Sequence, residues 1–421
     1  MSKLEELIEQ YCPDGVEYVK LGDFATQWYR GAGIKKDEIG QEGIPCIRYG
    51  EIHTIYKIWF DKCVSHTDET KQPSKKYADY GDILFAITSE DIPFIGNSVA
   101  YMGNERIMVG GNIVVMKHTQ NPKYISYALS TIDAVSQKGK GKVKSKVVHT
   151  NVPSLKEIVI PVPPLPVQEE IVRILDAFTE LQAELQAELQ KRKQQYNYYL
   201  DNLLNFKNIN RGGQIEVRWM KMSDIGTFYS GLSGKTKEDF QNGNAKFISY
   251  VNIFNNPSLF TDVEDRVKIL EGEKQNTIQY GDLLFTGSSE TPDECGMCSV
   301  LTHHTGEKLY LNSFCFGFRF NDLSGINPEF MKFLFRSSFI RKLICKTANG
   351  VTRFNISKKE FAKIVIPIPS LVEQNHIASV LDKLYSLVGD LSSGLPAEIE
   401  KRRQQYEYYR DKLLTFKRKG A

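Results

Sequence analysis

Apolar positions along this 421-residue chain follow two regimes, and each regime occurs twice. In the first, short runs such as DILFAI (Asp82–Ile87), NIVVMK (Asn112–Lys117), DLLFTG (Asp282–Gly287) and SFCFGFRF (Ser313–Phe320) are broken by Gly, Asn and Pro. That is the pattern of strands and turns. Helical spacing is rarer there, as in Pro122–Val135 and Pro328–Ile344, so each such region reads as a strand-rich mixed domain with one or two helices. In the second regime a Pro-rich stretch, IPVPPLP, fixes an extended backbone, and a helix is expected from near Gln168. Ile171, Phe178, Leu185, Tyr199 and Phe206 follow at heptad steps, with Leu175, Leu189, Tyr196 and Leu203 four residues on, joined by Ile174 and Leu181. One apolar stripe on a helix of about 40 residues, ~60 Å long, needs a partner to cover it.

The chain supplies that partner by repeating itself. KRKQQYNYYLDNLLNF (Lys191–Phe206) returns as KRRQQYEYYRDKLLTF (Lys401–Phe416), with eleven of sixteen positions identical. IVIPVPPLPVQEEIVRILD (Ile158–Asp176) aligns with IVIPIPSLVEQNHIASVLD (Ile364–Asp382), YGDILF with YGDLLF, and KLGDFAT with KMSDIGT. This predicts heads over residues 1–157 and 208–363, and Pro-rich lead-ins with long helices over 158–207 and 364–421. In the second helix Ile377, Leu384 and Leu391 keep the heptad, and Ile399, Tyr406 and Leu413 resume it one residue late. Gly394 and Pro396 should break the helix between them, with Pro396 in the first turn of a new segment. A whole domain separates the two helices, so antiparallel packing in a pseudo-twofold object is the simplest closure. Leu4, Leu7, Ile8 and Tyr11 at the start are expected to pack on the C-terminal helix.

Composition narrows the class. The 54 Lys+Arg against 51 Asp+Glu leave +3, which excludes a wholly basic coat or an acidic tail, so any electrostatic footprint is local. No run nears the ~18 apolar residues of a membrane span, and MSKLEELIEQ does not read as a signal peptide. Seven cysteines at irregular spacing fit a reducing cytoplasm.

Candidate catalytic motifs fail one by one. YSGLSGKT carries Tyr229 where a phosphate loop needs its first Gly, so Gly231, Gly234, Lys235 and Thr236 are expected in an exposed turn. Cys295 and Cys298, near His303 and His304, lack a second pair at zinc spacing, and ordinary thiols are the expectation. NNPS at Asn255 is not the Asn-Pro-Pro-aromatic loop of an adenine methyltransferase. Basic stretches remain. Lys138, Lys140, Lys142, Lys144 and Lys146 stand at every second position, which on an extended segment makes a phosphate-tracking strip; a solvated loop is the competing reading. From Arg336 to Lys363, Arg341, Lys346 and Arg353 belong to a run of eight cations against Glu360 alone. Near the start of each head, Arg30, Lys35 and Lys36, and later Lys235 and Lys237, adjoin aromatics in Gly-rich loops suited to a nucleic-acid groove.

Two variable heads, each followed by I-P-x-P-x-L-x-x-Q-x-x-I…L-D and K-R-x-Q-Q-Y-x-Y-Y…L-L-x-F, resemble the DNA-specificity subunit of a type I restriction–modification enzyme. The resemblance implies an α+β fold of two target recognition domains separated by two long antiparallel helices in a coiled coil. It implies a non-catalytic protein that reads both halves of a split site on double-stranded DNA. Two methyltransferase subunits would dock on the helices, through Tyr196, Tyr199, Leu203, Tyr406, Tyr409 and Leu413, and restriction subunits would join them. S-adenosylmethionine, ATP and Mg would belong to those partners, with no cofactor or metal in this chain. The Lys138–Lys146 strip and GVTRFN (Gly350–Asn355) would face DNA, although GVTRFN has no close counterpart in the first head. Three other readings stay open: a specificity subunit for a fused methylase–nuclease of another restriction class, a coiled-coil scaffold that binds no DNA, and a self-sufficient methyltransferase.

Overall fold

The computed structural model describes residues 2–140, 147–206, 216–389 and 394–420. The chain forms two compact units, residues 1–185 with 399–421, and residues 186–398. Among the described residues no helix is long and apolar enough to cross a membrane.

The head of the first unit holds two five-stranded sheets. One runs in the order Gln27–Arg30, Ile113–Lys117, Ile83–Ala86, Ser98–Tyr101, Trp59–Phe60. The other is ordered Ile39–Gly40, Ser65–Thr67, Ile44–Ile47, Ile107–Val109, Tyr77–Ala78. The second head repeats the plan with four strands per sheet, centred on Leu283–Thr286 and Leu309–Leu311. The run DILF does not alternate in polarity because its strand is covered on both faces. Ile83 and Phe85 point into the core shared with the helices, and Leu84 and Ala86 into a core between the sheets. Leu283 and Phe285 divide from Leu284 in the same way, as a period of two requires. The preceding YGD is a turn in both heads, with Gly81 at φ +90° and Gly281 at φ +84°. Asp82 accepts from Lys117 at 3.0 Å, and Asp282 takes Arg319 through both oxygens at 2.9 and 2.6 Å.

Each head closes on a two-stranded antiparallel ribbon, Tyr18–Lys20 with Val159–Pro161 and Val217–Lys221 with Val365–Pro369. Prolines are tolerated there because a ribbon edge leaves their missing N–H without consequence. The chain then turns into helix at the glutamine of the repeated motif. Gln168 is fully buried; its Nε2 donates to Pro163 O and Gln120 Oε1, both at 2.7 Å, and its Oε1 accepts from Asn121 N at 3.0 Å. Gln374 does likewise with Pro369 O (2.8 Å), Gly325 O (2.9 Å) and Asn327 N (2.8 Å). Asn121 and Asn327 cap the head helices Pro122–Leu129 and Pro328–Leu334, so one amide ties lead-in, long helix and head together.

The central helix spans Leu165–Leu204. It begins three residues before the expected Gln168, because Pro164 O accepts from the N–H groups of Val167 and Gln168 and Pro166 is tolerated in the first turn. Its first part belongs to the first unit. Val167, Ile171 and Leu175 are buried with Tyr406 and Leu414 of the C-terminal helix (Leu395–Leu413 and the residue after it). Phe178 stacks on Tyr409 at 5.6 Å, and Gln182 Nε2 donates to Arg402 O at 3.3 Å, so these segments run antiparallel. Its later part belongs to the second unit, where Leu200 and Leu204 join Ile377 and Leu381 of the return helix (Leu371–Val388), and Tyr196 meets Tyr385 at 5.8 Å. The strict heptad points to Tyr199 and Leu203, yet Leu200 and Leu204 are the buried pair, while Tyr199 is 40% and Leu181 36% exposed. A 3.6-residue period drifts ~20° per heptad from a strict seven, and the partner helix changes midway. Pro396 stands second in its helix, as expected; Leu391 lies outside the described residues.

The N-terminal helix Lys3–Tyr11 starts with a Ser2/Glu5 capping box and packs Leu4, Leu7 and Ile8 beside Tyr406, Leu413 and Phe416; Tyr11 stays 44% exposed instead of joining them. Val16 N donates to Lys417 O at 2.8 Å and Lys419 N to Val16 O at 3.1 Å, fastening the two ends of the chain to each other.

Lys138 departs from the expected basic strip. It lies in helix Ile132–Gly139, is buried, and donates to Leu129 O at 2.8 Å. The repeat offset of 206 places it where the second head has buried Ile344. Its stem therefore fills a core position, and burial lowers its pKa from the usual 10.5 to about 7.

Two expected outcomes follow from these contacts. Gln374→Ala leaves Asn327 N–H and two carbonyls unpartnered, and chemical unfolding should show a loss of about 1–3 kcal/mol. For Lys138, between pH 7 and 10.5 the unfolded chain holds a proton that the folded chain has released, so stability rises with pH across that window. Below it both states are charged and the burial penalty is complete. Lys138→Met should raise the melting temperature at pH 7, and melts repeated at pH 9 should show a smaller gain.

Candidate nucleic-acid interface

In the first head a groove opens between the end of strand Gln27–Arg30 and the helix Tyr49–Thr54. Arg30, Lys36, Arg48, Tyr49 and Glu51 line it, over a floor that includes Gly31, Gly110 and Gly111. Glycine is required at position 31, where a Cβ would lie 2.2 Å from Gly110 O. Arg30 is exposed and held: Nε donates to Gly111 O at 2.5 Å and Nη2 to Asn112 Oδ1 at 2.8 Å. Arg48 directs Nε and Nη2 at Glu51 Oε1, each at 3.4 Å, and Glu51 also accepts from Ser65 Oγ at 2.7 Å. Three cations thus face the groove against one buried, already partnered carboxylate, which favours an anionic ligand.

The second head has its groove at a related place, lined by Tyr250, Phe254, Ser288, Phe314, Val351 and Arg353, with Glu290 and Glu294 also on its wall. Tyr250 stacks on Phe254 at 6.1 Å. Phe314 is 60% and Val351 90% exposed, and the Arg353 guanidinium lies 5.7 Å from the Phe314 ring centre while Nε donates to Ser288 Oγ at 3.1 Å. Exposed aromatics beside arginine suit a base or sugar face. The strand Phe354–Ile356 pairs with Ser288–Ser289 as Val148–His149 pairs with Thr88–Ser89. GVTRFN therefore leads into a strand that has a backbone counterpart in the first head, a match that strand pairing reveals and side chains conceal.

Several expected contact residues are engaged elsewhere. Lys138 is in the core, and Lys142, Lys144 and Lys146 lie outside the described residues, so only exposed Lys140 remains of the described strip. Lys235 is not in an open turn: its side chain, 6% exposed, pairs with Glu273 at 2.6 Å, and Gly231 beside it is buried against the Asn312 backbone. Arg341 donates to the carbonyls of Gly296, Cys295 and Asp293, and Arg336 to those of Cys298, Ile253 and Phe254. Both guanidiniums clamp loop ends, so the run of eight cations is not one surface. Lys35, Lys36, Lys237, Lys346 and Arg353 are exposed. Arg48, Tyr49, Tyr250 and Phe314 were missed, although IRYGEI and ISYVNI align and would have marked the two tyrosines.

On the helices, Tyr196, Leu203, Tyr406 and Leu413 pack into or against the cores and Tyr409 stacks on Phe178. Of the expected docking residues Tyr199 does face outward, and Tyr198 (66% exposed) and Tyr408 (62%) join it. Cys295 and Cys298 are buried thiols whose pKa values burial raises. Among the described residues no three His, Cys, Asp or Glu side chains converge as metal ligands.

The family model for the type I restriction modification DNA specificity domain matches the chain twice, over residues 13–213 and 214–401. A type I restriction enzyme specificity subunit of Escherichia coli is 33% identical over 310 residues, 70% of each chain. Two solved structures share the fold. A type I restriction–modification S subunit from M. genitalium has a TM-score of 0.52 at 13% identity, over 95% of this chain and 96% of that one. A chain from a structure of type I R-M complex assembly and conformational transition has a TM-score of 0.63 at 15% identity, over 95% and 97%. Each match takes in one head and the Pro-rich lead-in and helix start that follow it, as the internal repeat does, and the chain belongs to the type I restriction–modification DNA specificity family.

Proposed function

We propose that this chain is the non-catalytic DNA-reading subunit of a type I restriction–modification complex, acting in the cytoplasm, with each head reading one half of a bipartite, asymmetric site on double-stranded DNA. The observation that carries this is the contrast between a repeated frame and unrepeated grooves. The sheets, YGD turns, neck ribbons and buried glutamines occur twice, whereas the positions of Arg30 and Arg48 in the first head are held by Ser230 and Ser249 in the second. A constant frame with different groove chemistry suits two readers of different sequences. The outward tyrosines Tyr198, Tyr199 and Tyr408 would dock two methyltransferase subunits, which bring S-adenosylmethionine; restriction subunits would add ATP and Mg. Co-expression with a cognate methyltransferase subunit should give a complex of two methyltransferases and one copy of this chain that methylates DNA, and the chain purified alone should not. Exchanging residues 1–157 for another head should alter one half of the methylated sequence and spare the other; methyl transfer by the isolated chain would overturn the reading.

The central helix crosses from one unit's residues to the other's and contains TELQ-AELQ-AELQ (Thr179–Gln190). A four-residue unit adds ~6 Å and turns the helix by only ~40°, and DNA rises ~3.4 Å per base pair. Specificity subunits that this chain resembles adjust their spacer with such a repeat. Deleting Ala183–Gln186 should shorten the unread spacer by one or two base pairs and leave both half-sites unchanged, as methylome sequencing of the deletion strain would read; retained methylation at the original spacer would exclude this role.

A further inference from the structure

We propose that Arg30 and Arg48 are the guanine readers of the first head, so that this head's half-site contains guanine recognised through its major-groove edge. The inference rests on the reading of the heads as half-site readers and adds which side chains choose the bases and which base they choose.

The guanidinium carries five N–H donors in a rigid plane, arranged as a side edge (Nε and one Nη) and an end edge (both Nη atoms). In Arg30 the side edge is taken by Gly111 O and Asn112 Oδ1. In Arg48 both side-edge nitrogens point at Glu51 Oε1, and Ser65 Oγ and the Arg48 N–H hold that carboxylate in place. Among the described residues neither end edge meets a protein acceptor, and both side chains line the same groove. Each arginine therefore presents two parallel donors whose direction the fold has already set. Guanine offers two acceptors, O6 and N7, on its major-groove edge; adenine offers N7 beside a donor, and the pyrimidines no such pair. Fixing the side edge beforehand also lowers the rotamer entropy lost on binding.

The repeat supplies an internal control. Strand pairing aligns Arg30 with Ser230, each ending the strand beside the closely packed Gly31 or Gly231. Arg48 and Ser249 each precede the first helical residue, Tyr49 or Tyr250. Several residues that hold the frame, such as Asp82/Asp282 and Gln168/Gln374, are kept in both heads. These two guanidiniums are absent from the second head, whose frame forms without them. A phosphate clamp is the competing role for the same edges, and it predicts something different: uniform weakening on every sequence with no change of base preference.

The test uses the complex of this chain with its co-expressed methyltransferase subunits. Methylome sequencing gives the bipartite site, and exchange of residues 1–157 identifies the half read by the first head. Duplexes carrying 7-deazaguanine, which lacks the N7 acceptor, at each guanine in turn then report the contacts. The wild-type complex should lose about tenfold or more in affinity at a guanine of that half and little at guanines of the other half. Arg30→Ala and Arg48→Ala should each abolish the sensitivity at one guanine and accept other bases there. Arg30→Gln, which keeps a donor toward Gly111 and Asn112, should do the same and guards against a folding defect. A first half-site without guanine, retained 7-deaza sensitivity in the variants, or uniform weakening on all duplexes overturns this inference while leaving the half-site reading intact. Absence of any bipartite site in the wild type overturns that reading itself.

Discussion

The amide of Gln168 lies where three stretches of backbone converge: the end of the neck ribbon, the first turn of the long helix and the cap of the head helix. Gln374 repeats the arrangement. A fully buried amide is tolerable only when its donors and acceptor are matched, because an unpaired one costs its desolvation. Satisfying it fixes the angle at which each head leaves its helix. A second tie reinforces the first. Asp176 accepts from Lys123 at 2.7 Å and from the Tyr127 hydroxyl at 2.8 Å, and Asp382 from Lys332 at 2.6 Å. The two lysines come from different positions on matching head helices, so the charge pair is kept although the residue that supplies it is not.

This junction explains where the repeated tyrosine-rich segments go. The copy that follows the first head, Lys191–Phe206, packs within the second unit, and the copy that follows the second head, Lys401–Phe416, packs within the first. Each unit is therefore completed by a helix whose sequence continues from the other head's lead-in. The N-terminal helix and the Val16–Lys417 hydrogen bond close the first unit with the two ends of the chain. Neither head is finished without residues from beyond it.

Over this shared frame the grooves diverge. Gly31 and Gly231 have no room for a side chain, a Cβ at either lying about 2 Å from a carbonyl oxygen of the facing strand end. The backbone is thus pinned at this one point in both heads, while the neighbours that project beside it differ. In the first head these are arginines steadied by main-chain and carboxylate acceptors. In the second they are serines, and the aromatic work passes to Tyr250, Phe254 and Phe314 with Arg353 alongside. A frame that resists change beside positions that accept it lets one fold read different sequences.

The duplication, the strand-rich heads, the prolines of the necks and the break near Pro396 were all legible in the sequence, because backbone constraints and burial periodicity act locally. The charged residues were not. Lys138, Arg336 and Arg341 sit in a basic run, yet one fills the place of an isoleucine and two saturate carbonyls across the fold; spacing along the chain says nothing about which face a side chain meets. Burial of Leu200 and Leu204 in place of Tyr199 and Leu203 depended on which partner helix lay alongside. Sequence alone determined what is repeated, since identical local forces leave identical patterns. The tertiary structure alone decided which guanidiniums are spent inside and which keep an edge free, because that depends on acceptors contributed by residues distant in the chain.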